Sequence, residues 1–178
     1  MLALLSIRRY QGYNAGMLDL GNMSQAIWSA TQGRPLECTY GDGTLSRLAH
    51  HVEVIYFLLA PLYALFPSPI TLLIVQAALF ALGGLPLFAL AYRRLNHVWA
   101  ARMIVMIYLL YPVAQTAVLF DVHGDTLAMP LLLFALNALD REAWPAYGTW
   151  LVLALSCKFY VSIAVFGLGI VLLMEGWR

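Results

Sequence analysis

A long apolar run over residues 70–92 constrains this chain more than any other feature of its sequence. A helix of that length can span the ~30 Å hydrocarbon core of a bilayer, which needs about 20 mostly apolar residues. The run ends at Arg93 and Arg94, where charge returns to the sequence. Over the whole chain 62% of the residues are hydrophobic and 11% are charged, which is too little polar surface for a soluble particle. The sequence therefore predicts an integral membrane protein.

The other apolar runs predict further helices, in an all-α, polytopic fold with one membrane domain over residues 1–178. The run at 52–67 has roughly 15 apolar residues and contains Pro61, which favours an interfacial or re-entrant helix over a crossing. Residues 8–51 are polar and rich in glycine, which indicates a long extracytoplasmic loop whose most helical part is 17–31. The remaining predicted elements are the stub of a first helix at 1–7 and transmembrane helices at 70–92, 98–119, 126–139, 144–157 and 159–174.

The charge and the cysteine content argue against a nucleic-acid partner and against a disulfide framework. The net charge is +1 and the arginines are scattered, so the sequence has no basic stripe that could follow the phosphates of a nucleic acid. The two cysteines, Cys38 and Cys157, have no metal-ligand spacing and are predicted to lie at different depths. We therefore expect neither a nucleic-acid partner nor a disulfide framework.

The arginine-containing turns predict the orientation of the helices. Two crossings separate Arg94 from Arg141 and two more separate Arg141 from Arg178, so these turns share one side of the membrane. Positive residues favour the cytoplasmic side of short loops, so we take that side as cytoplasmic. If 52–67 does not cross, the first loop lies on the opposite side.

The polar connections on that opposite side are predicted to form a cavity. Several apolar runs have only ~14 residues, and a helix of that length rises ~21 Å, less than the hydrocarbon core. The connections at 121–125 and at Lys158 must then dip below the membrane surface. Irregular backbone is tolerated there only where protein covers it or water lines it.

Two acidic segments are the candidates for a site, because carboxylates are costly at membrane depth and usually mark function there. One contains Asp19, in the first loop, and the other is Phe120-Asp-Val-His-Gly-Asp at 120–125. In an extended backbone Asp121, His123 and Asp125 would all point the same way. Grouped in this manner they would position an acceptor or bind a divalent cation, although an ordinary hydrated turn that contains Gly124 is an equally simple interpretation.

Several segments together resemble a known family. They are LDLGNMSQAIW at 18–28, LAPLYALFP at 59–67, Gln76, Pro86, Tyr111-Pro112 and Phe120-Asp-Val-His at 120–123. Over nearly the whole chain the sequence resembles the family of prokaryotic membrane proteins known as domain of unknown function 2079. That family is similar in layout to C-class glycosyltransferases, which use lipid-phosphate sugars. The resemblance implies a multi-pass protein of the prokaryotic cytoplasmic membrane whose first extracytoplasmic loop bears the catalytic acid. It also implies that this chain is an N-terminal part of a longer protein.

The resemblance leads to one main functional expectation, the transfer of a sugar from a polyprenyl-phosphate-linked donor on the extracytoplasmic side. Asp19 is the candidate base for the acceptor hydroxyl, and its alternative role is to cap the helix that follows it. Gln25 and Trp28 are candidates for binding the sugar, and Trp28 has simple interfacial anchoring as its alternative. Asp121 and His123 complete the candidate substrate site.

Lys158, the only lysine, is the candidate for neutralising the donor phosphate, and snorkelling to the surface is its alternative. The expected partners are membrane lipids and the lipid-linked sugar donor. A cofactor is not firmly implied, but a divalent cation at Asp121, His123 and Asp125 is retained as an option. The rival interpretations are a transporter or flippase, whose site would lie near the middle of the membrane, and a non-catalytic membrane subunit. The sequence therefore does not decide whether the protein is an enzyme.

Overall fold

A computed structural model describes residues 1–174 and 176 of the chain, most of which are helical. The helices are α1 (Leu2–Gln11), α2 (Asn22–Thr31), α3 (Arg47–His50), α4 (Tyr56–Leu65), α5 (Pro69–Leu82), α6 (Gly84–Leu95), α7 (Val98–Leu110), α8 (Pro112–Leu119), α9 (Gly124–Asp140), α10 (Trp144–Leu155) and α11 (Val161–Met174). A π-helical turn, Met17–Gly21, leads directly into α2. Strands β1 (Glu37–Tyr40) and β2 (Gly43–Ser46) form an antiparallel hairpin.

The helices α5 and α6 continue into each other as one helix of 27 residues, Pro69–Leu95, which contains the predicted crossing at 70–92. Within the described residues it is the one helix that is long and apolar enough by itself to cross a membrane. The pair α7 and α8, which covers 98–119, is bent by 45° and would be a second. The bend falls at Tyr111 and Pro112, because the residue before a proline is driven out of the helical conformation. These helices fit a membrane protein, and a larger number of crossings stays a prediction.

The segment predicted as a long loop is more ordered than its composition indicates. Helix α1 extends through Gln11, past the predicted stub at 1–7, and packs against α5 and α8. The prediction of helix over 17–31 is confirmed, with the first turn in π-helical form. The hairpin is an addition to the expected all-α fold, and it packs against α2, which in turn packs on α4.

A break in the helical structure at residues 120–123 separates α8 from α9. The side chain of Gln76, fully buried in α5, provides hydrogen-bonding partners for this backbone. Its Nε2 donates to the carbonyl oxygens of Val118, at 3.0 Å, and of Asp121, at 2.5 Å. Its Oε1 accepts from the N–H of His123 at 3.1 Å. Gln76 lies seven residues after Pro69, so the break sits about 10 Å along the helix from that end.

The C-terminal ends of α6 and α9 are connected by ion pairs. Arg93 and Arg94 both contact the carboxylate of Asp140, at 2.8 and 2.5 Å respectively. Arg93 also donates to the side chain of Asn137 at 2.7 Å. These contacts place Arg94 and the turn that contains Arg141 at one end of the helices. The third arginine used to predict the topology, Arg178, lies outside the described residues.

This geometry predicts that the hairpin and the α9–α10 turn face opposite sides of the membrane. The exposed positions Asp42 and Arg141, substituted singly by cysteine, should therefore react with a membrane-impermeant maleimide from opposite sides of sealed vesicles. The native cysteines Cys38 and Cys157 are buried, so the unsubstituted chain is the control for background labelling. Labelling of positions 42 and 141 from the same side would contradict this arrangement.

Candidate functional site

The two acidic segments meet beside Gly16, in the short stretch between α1 and the π-helical turn. An added Cβ at Gly16 would lie 2.9 Å from Oδ2 of Asp121 and 3.2 Å from Oδ2 of Asp19. A side chain at position 16 would therefore press on both carboxylates. The structure brings together Asp19 and the start of the second acidic segment, which are about a hundred residues apart in sequence.

Asp121 is held firmly and has little capacity left for a ligand. Its side chain is 1% exposed. Its Oδ1 accepts from Nη1 of Arg9 at 2.6 Å, and its Oδ2 accepts from the N–H of Gly16 at 2.7 Å. Arg9 also donates to the carbonyl of Leu119 at 2.7 Å. The structure thus corrects the expectation that Asp121 binds substrate directly, because both of its oxygens are engaged within the protein.

The backbone of Asp121 adopts an unusual conformation, with φ at 105°. Residues with a side chain rarely adopt positive φ, and the cost is of order 1–3 kcal/mol, so such residues persist only where their surroundings fix them. The bonds from Gln76 to the Asp121 carbonyl and from Arg9 to its carboxylate supply that restraint. Strained backbone of this kind is concentrated at functional sites.

Asp19 and His123 form an accessible acid–imidazole pair. Oδ1 of Asp19 lies 3.4 Å from Nε2 of His123, and the two side chains are 36% and 21% exposed, respectively. The imidazole stacks on Phe120, with 5.5 Å between ring centroids. The alternative role of Asp19 as a helix cap is not seen, because the N-cap of α2 is Gly21 and no side chain caps that helix. Asp19 instead lies within the π-helical turn, a type of irregularity that is frequent at functional sites.

A cavity of about 450 Å³ reaches Gly16 and Leu20, which flank Asp19 in space and in sequence, although neither Asp19 nor His123 lines it. Polar and aromatic side chains contribute to its lining, among them Tyr10, Ser24, Gln25, Trp28 and Tyr63. The hydroxyls of Ser24 and Tyr63 are hydrogen-bonded to each other at 2.5 Å. Flat aromatic rings with nearby hydroxyl groups are suited to a polar ligand that has apolar faces.

The two predicted sugar-binding residues line this cavity, but both also have partners in the protein. The amide of Gln25 donates to Oγ1 of Thr39 at 2.9 Å and accepts from the N–H of Thr39 at 3.0 Å. Gln25 therefore attaches the hairpin to α2, and its amide is engaged. The guanidinium of Arg34 lies 5.3 Å from the ring centroid of Trp28, whose side chain remains well exposed.

Asp125 belongs to a separate cluster with Lys158 and Tyr160. Oδ2 of Asp125 lies 3.3 Å from Nζ of Lys158, and Oδ1 is hydrogen-bonded to the hydroxyl of Tyr160. Burial alone would lower the pKa of Lys158, but the hydrogen bond that its ammonium group donates to Tyr160 and the charge of Asp125 outweigh burial and raise that pKa. Lys158 is therefore a firmly protonated group.

Asp121, His123 and Asp125 do not point the same way, as they would on an extended backbone. Helix α9 begins at Gly124 and turns Asp125 away from the other two. Each of the three side chains has a different partner. Over residues 1–174 and 176, no group of three or more histidine, cysteine, aspartate or glutamate residues is placed to hold a metal ion. The geometry therefore gives no support to a divalent cation at these residues.

Glu53 and Arg47 form a buried ion pair that sequence reasoning missed. Nε and Nη2 of Arg47 donate to Oε2 of Glu53 at 2.8 and 2.6 Å. Burial raises the pKa of Glu53, against the opposing charge and hydrogen bonds of Arg47. An added Cβ at Gly124 would lie 3.4 Å from Oε1 of Glu53 and would collide with the carbonyl of Cys157. This tight contact fixes the start of α9 against the α10–α11 turn.

Arg9 and Gln76 are the other site residues that were not given a role from sequence. Gln76 could have been found, because it is a polar residue within the longest apolar run, where each polar group needs a partner. The sequence does not single out Arg9 in this way, because the adjacent Arg8 has the same charge and is exposed in the structure.

A comparison with known protein families gives one match. The family model described as "Predicted membrane protein (DUF2079)" matches residues 9–178, and so includes Arg9, both acidic segments and Gln76. No curated protein and no solved structure matches the chain.

The Arg9–Asp121 contact predicts different effects for two adjacent arginines. Arg9→Gln should lower the free energy of unfolding by about 1–3 kcal/mol, because it removes a charged partner from a buried carboxylate. Arg8→Gln makes the same chemical change at an exposed position and should have little effect. Thermal or denaturant unfolding of the purified protein in detergent measures both. Equal stabilities of the two variants would show that the contact does not hold the break in place.

Proposed function

Because this chain belongs to the DUF2079 family of predicted membrane proteins, we propose that it is a membrane glycosyltransferase. It takes a sugar from a polyprenyl-phosphate donor and transfers it to an acceptor hydroxyl on the extracytoplasmic side of a prokaryotic cytoplasmic membrane, as a multi-pass protein. The observation that carries the proposal is the accessible Asp19–His123 pair, together with a cavity of aromatic and hydroxyl groups that reaches Gly16, the neighbour of the Asp19 carboxylate.

The proposed reaction needs a base where the acceptor binds. The acceptor oxygen forms a bond to the anomeric carbon of the sugar while the bond from that carbon to the donor phosphate oxygen breaks. The electron pair leaves with the polyprenyl phosphate, and the hydroxyl proton passes to the Asp19–His123 pair. A positioned carboxylate or imidazole typically contributes 10²–10⁴-fold to such a step. The pair is suited to this role because Asp19 presents an accessible carboxylate and the imidazole of His123 lies 3.4 Å from it.

Cavity residues would hold the sugar. The rings of Tyr10, Trp28 and Tyr63 provide apolar surface, and the linked hydroxyls of Ser24 and Tyr63 provide hydrogen bonds. Gln25 acts indirectly in this proposal, through the hairpin that it attaches at Thr39.

Lys158 would neutralise the phosphate of the donor. Its charge is now paired with Asp125, whose carboxylate is 45% exposed, so an incoming phosphate would compete with that carboxylate. Asp125 is only two residues from His123, which places the two clusters at the two ends of one short segment. The proposal therefore requires the donor to extend from Lys158 past the start of α9 to the sugar.

The transporter alternative has less support, because the two glutamines within the long apolar helices are already engaged. Gln76 binds the backbone of the break, and Nε2 of Gln115 donates to the carbonyl of Leu109 at 2.9 Å. A solute site near the middle of the membrane would need polar groups that are available to the solute.

Asp19→Asn tests the proposal directly. It keeps the size of the side chain but removes its basicity, so transfer of labelled sugar from a polyprenyl-phosphate donor in membranes should fall by about 100-fold or more. His123→Gln should also reduce the rate strongly. The control is Asp42→Asn, which makes the same change at an exposed position in the hairpin turn. Unfolding temperatures of all three variants should match that of the unsubstituted protein.

Two outcomes would overturn the proposal. One is a rate for Asp19→Asn that stays within twofold of the unsubstituted protein, because the base would then lie elsewhere. The other is the absence of sugar transfer with any polyprenyl-phosphate donor, together with movement of a solute across vesicles that contain the protein, which would favour the transporter alternative.

A further inference from the structure

Arg102 is a charged side chain exposed on one of the most apolar surfaces of the molecule. It is the fifth residue of α7, about 6 Å along that helix from its first residue. Its guanidinium lies 4.8 Å from the ring centroid of Trp99, whose side chain is also exposed. In the described part of the chain no carboxylate forms an ion pair with Arg102. The charge is therefore not neutralised by these residues.

An apolar groove of about 610 Å³ begins at Arg102 and runs between α6 and α7. Its walls include Gly84, Leu85, Phe88, Met103, Met106 and Leu109, and Arg102 is the charged residue among those that line it. The two helices pack closely at Gly84, where an added Cβ would lie 3.1 Å from Cγ1 of Val105. Leu85 and Met103 are 63% and 59% exposed, so the groove faces outwards.

The groove lies between helices that belong to the two candidate membrane spans, so lipid is expected to surround it. Helix α6 is part of the 27-residue helix that is able to cross a membrane, and α7 belongs to the bent pair. The groove therefore opens towards lipid, with Arg102 near the end of the helices where Arg93 and Arg94 also lie. Those two arginines share the carboxylate of Asp140, which leaves this end with positive charge in excess.

We propose that the α6–α7 groove binds one anionic phospholipid, with its phosphate at Arg102 and one acyl chain along the groove. An arginine near the membrane surface attracts anionic lipid headgroups, and its planar guanidinium matches two phosphate oxygens. Trp99 is the interfacial aromatic residue beside the headgroup. An anionic headgroup fits better than a zwitterionic one, because no lining residue carries a carboxylate to receive an ammonium group. This inference does not depend on the proposed sugar transfer.

Native mass spectrometry of the purified protein with added phosphatidylglycerol or phosphatidylcholine tests the proposal. The unsubstituted protein should bind one phosphatidylglycerol about five- to tenfold more tightly than phosphatidylcholine, as expected for one arginine near the membrane surface. Arg102→Gln should remove that preference. The matched control is Arg141→Gln, an exposed arginine at the same end of the helices that does not line the groove, and it should keep the preference.

A second variant tests the groove separately from the charge. Leu85→Trp fills the groove from an exposed position, so the protein should still fold, and the binding of phosphatidylglycerol should weaken. The proposal is overturned if Arg102→Gln keeps the lipid preference, or if Arg141→Gln loses it equally, because the effect would then come from net charge. It is also overturned if Leu85→Trp binds phosphatidylglycerol unchanged, or if the protein forms a dimer that covers Arg102.

Discussion

The hydrogen bonds from the buried Gln76 amide to the backbone at 118–123 determine how the rest of the site is arranged. A break between two helices exposes N–H and C=O groups, and each such group without a partner is costly where water is scarce. One glutamine supplies the partners for two carbonyls and one N–H at once. The chain can therefore leave the helical conformation at this depth and resume it at Gly124.

The arrangement of the polar side chains follows from that break. With its carbonyl held by Gln76, Asp121 keeps a positive φ and directs its carboxylate to Arg9 and Gly16. His123, whose N–H is bound by the same glutamine, extends its imidazole to Asp19. Three parts of the chain, namely α1, the π-helical turn and the break, thus meet around one structural core. The Asp121 carboxylate is buried, and the Asp19–His123 pair stays accessible.

The sequence was sufficient for features that depend on local pattern. The length of the apolar run at 70–92 predicted the helix at Pro69–Leu95, and the polar segment 120–125 overlaps the break. The bend at Tyr111-Pro112, within the single helix predicted at 98–119, was not predicted. Contacts between distant residues were not predictable in this way. Nothing local distinguishes Arg9 from Arg8. An extended backbone over 121–125 would have grouped Asp125 with Asp121 and His123, but the segment becomes helical at Gly124.

Amide hydrogen exchange of the protein in lipid nanodiscs, with and without Gln76→Leu, tests most directly whether Gln76 holds the break. Loss of the amide removes the acceptor of the His123 N–H, so exchange over residues 120–124 should accelerate by about tenfold or more, while the middle of α9 keeps its protection. The matched control is Gln115→Leu, whose amide bonds only to the nearby Leu109 carbonyl, and it should leave 120–124 unchanged. Equal protection of residues 120–124 in the Gln76→Leu variant and the unsubstituted protein would contradict this account.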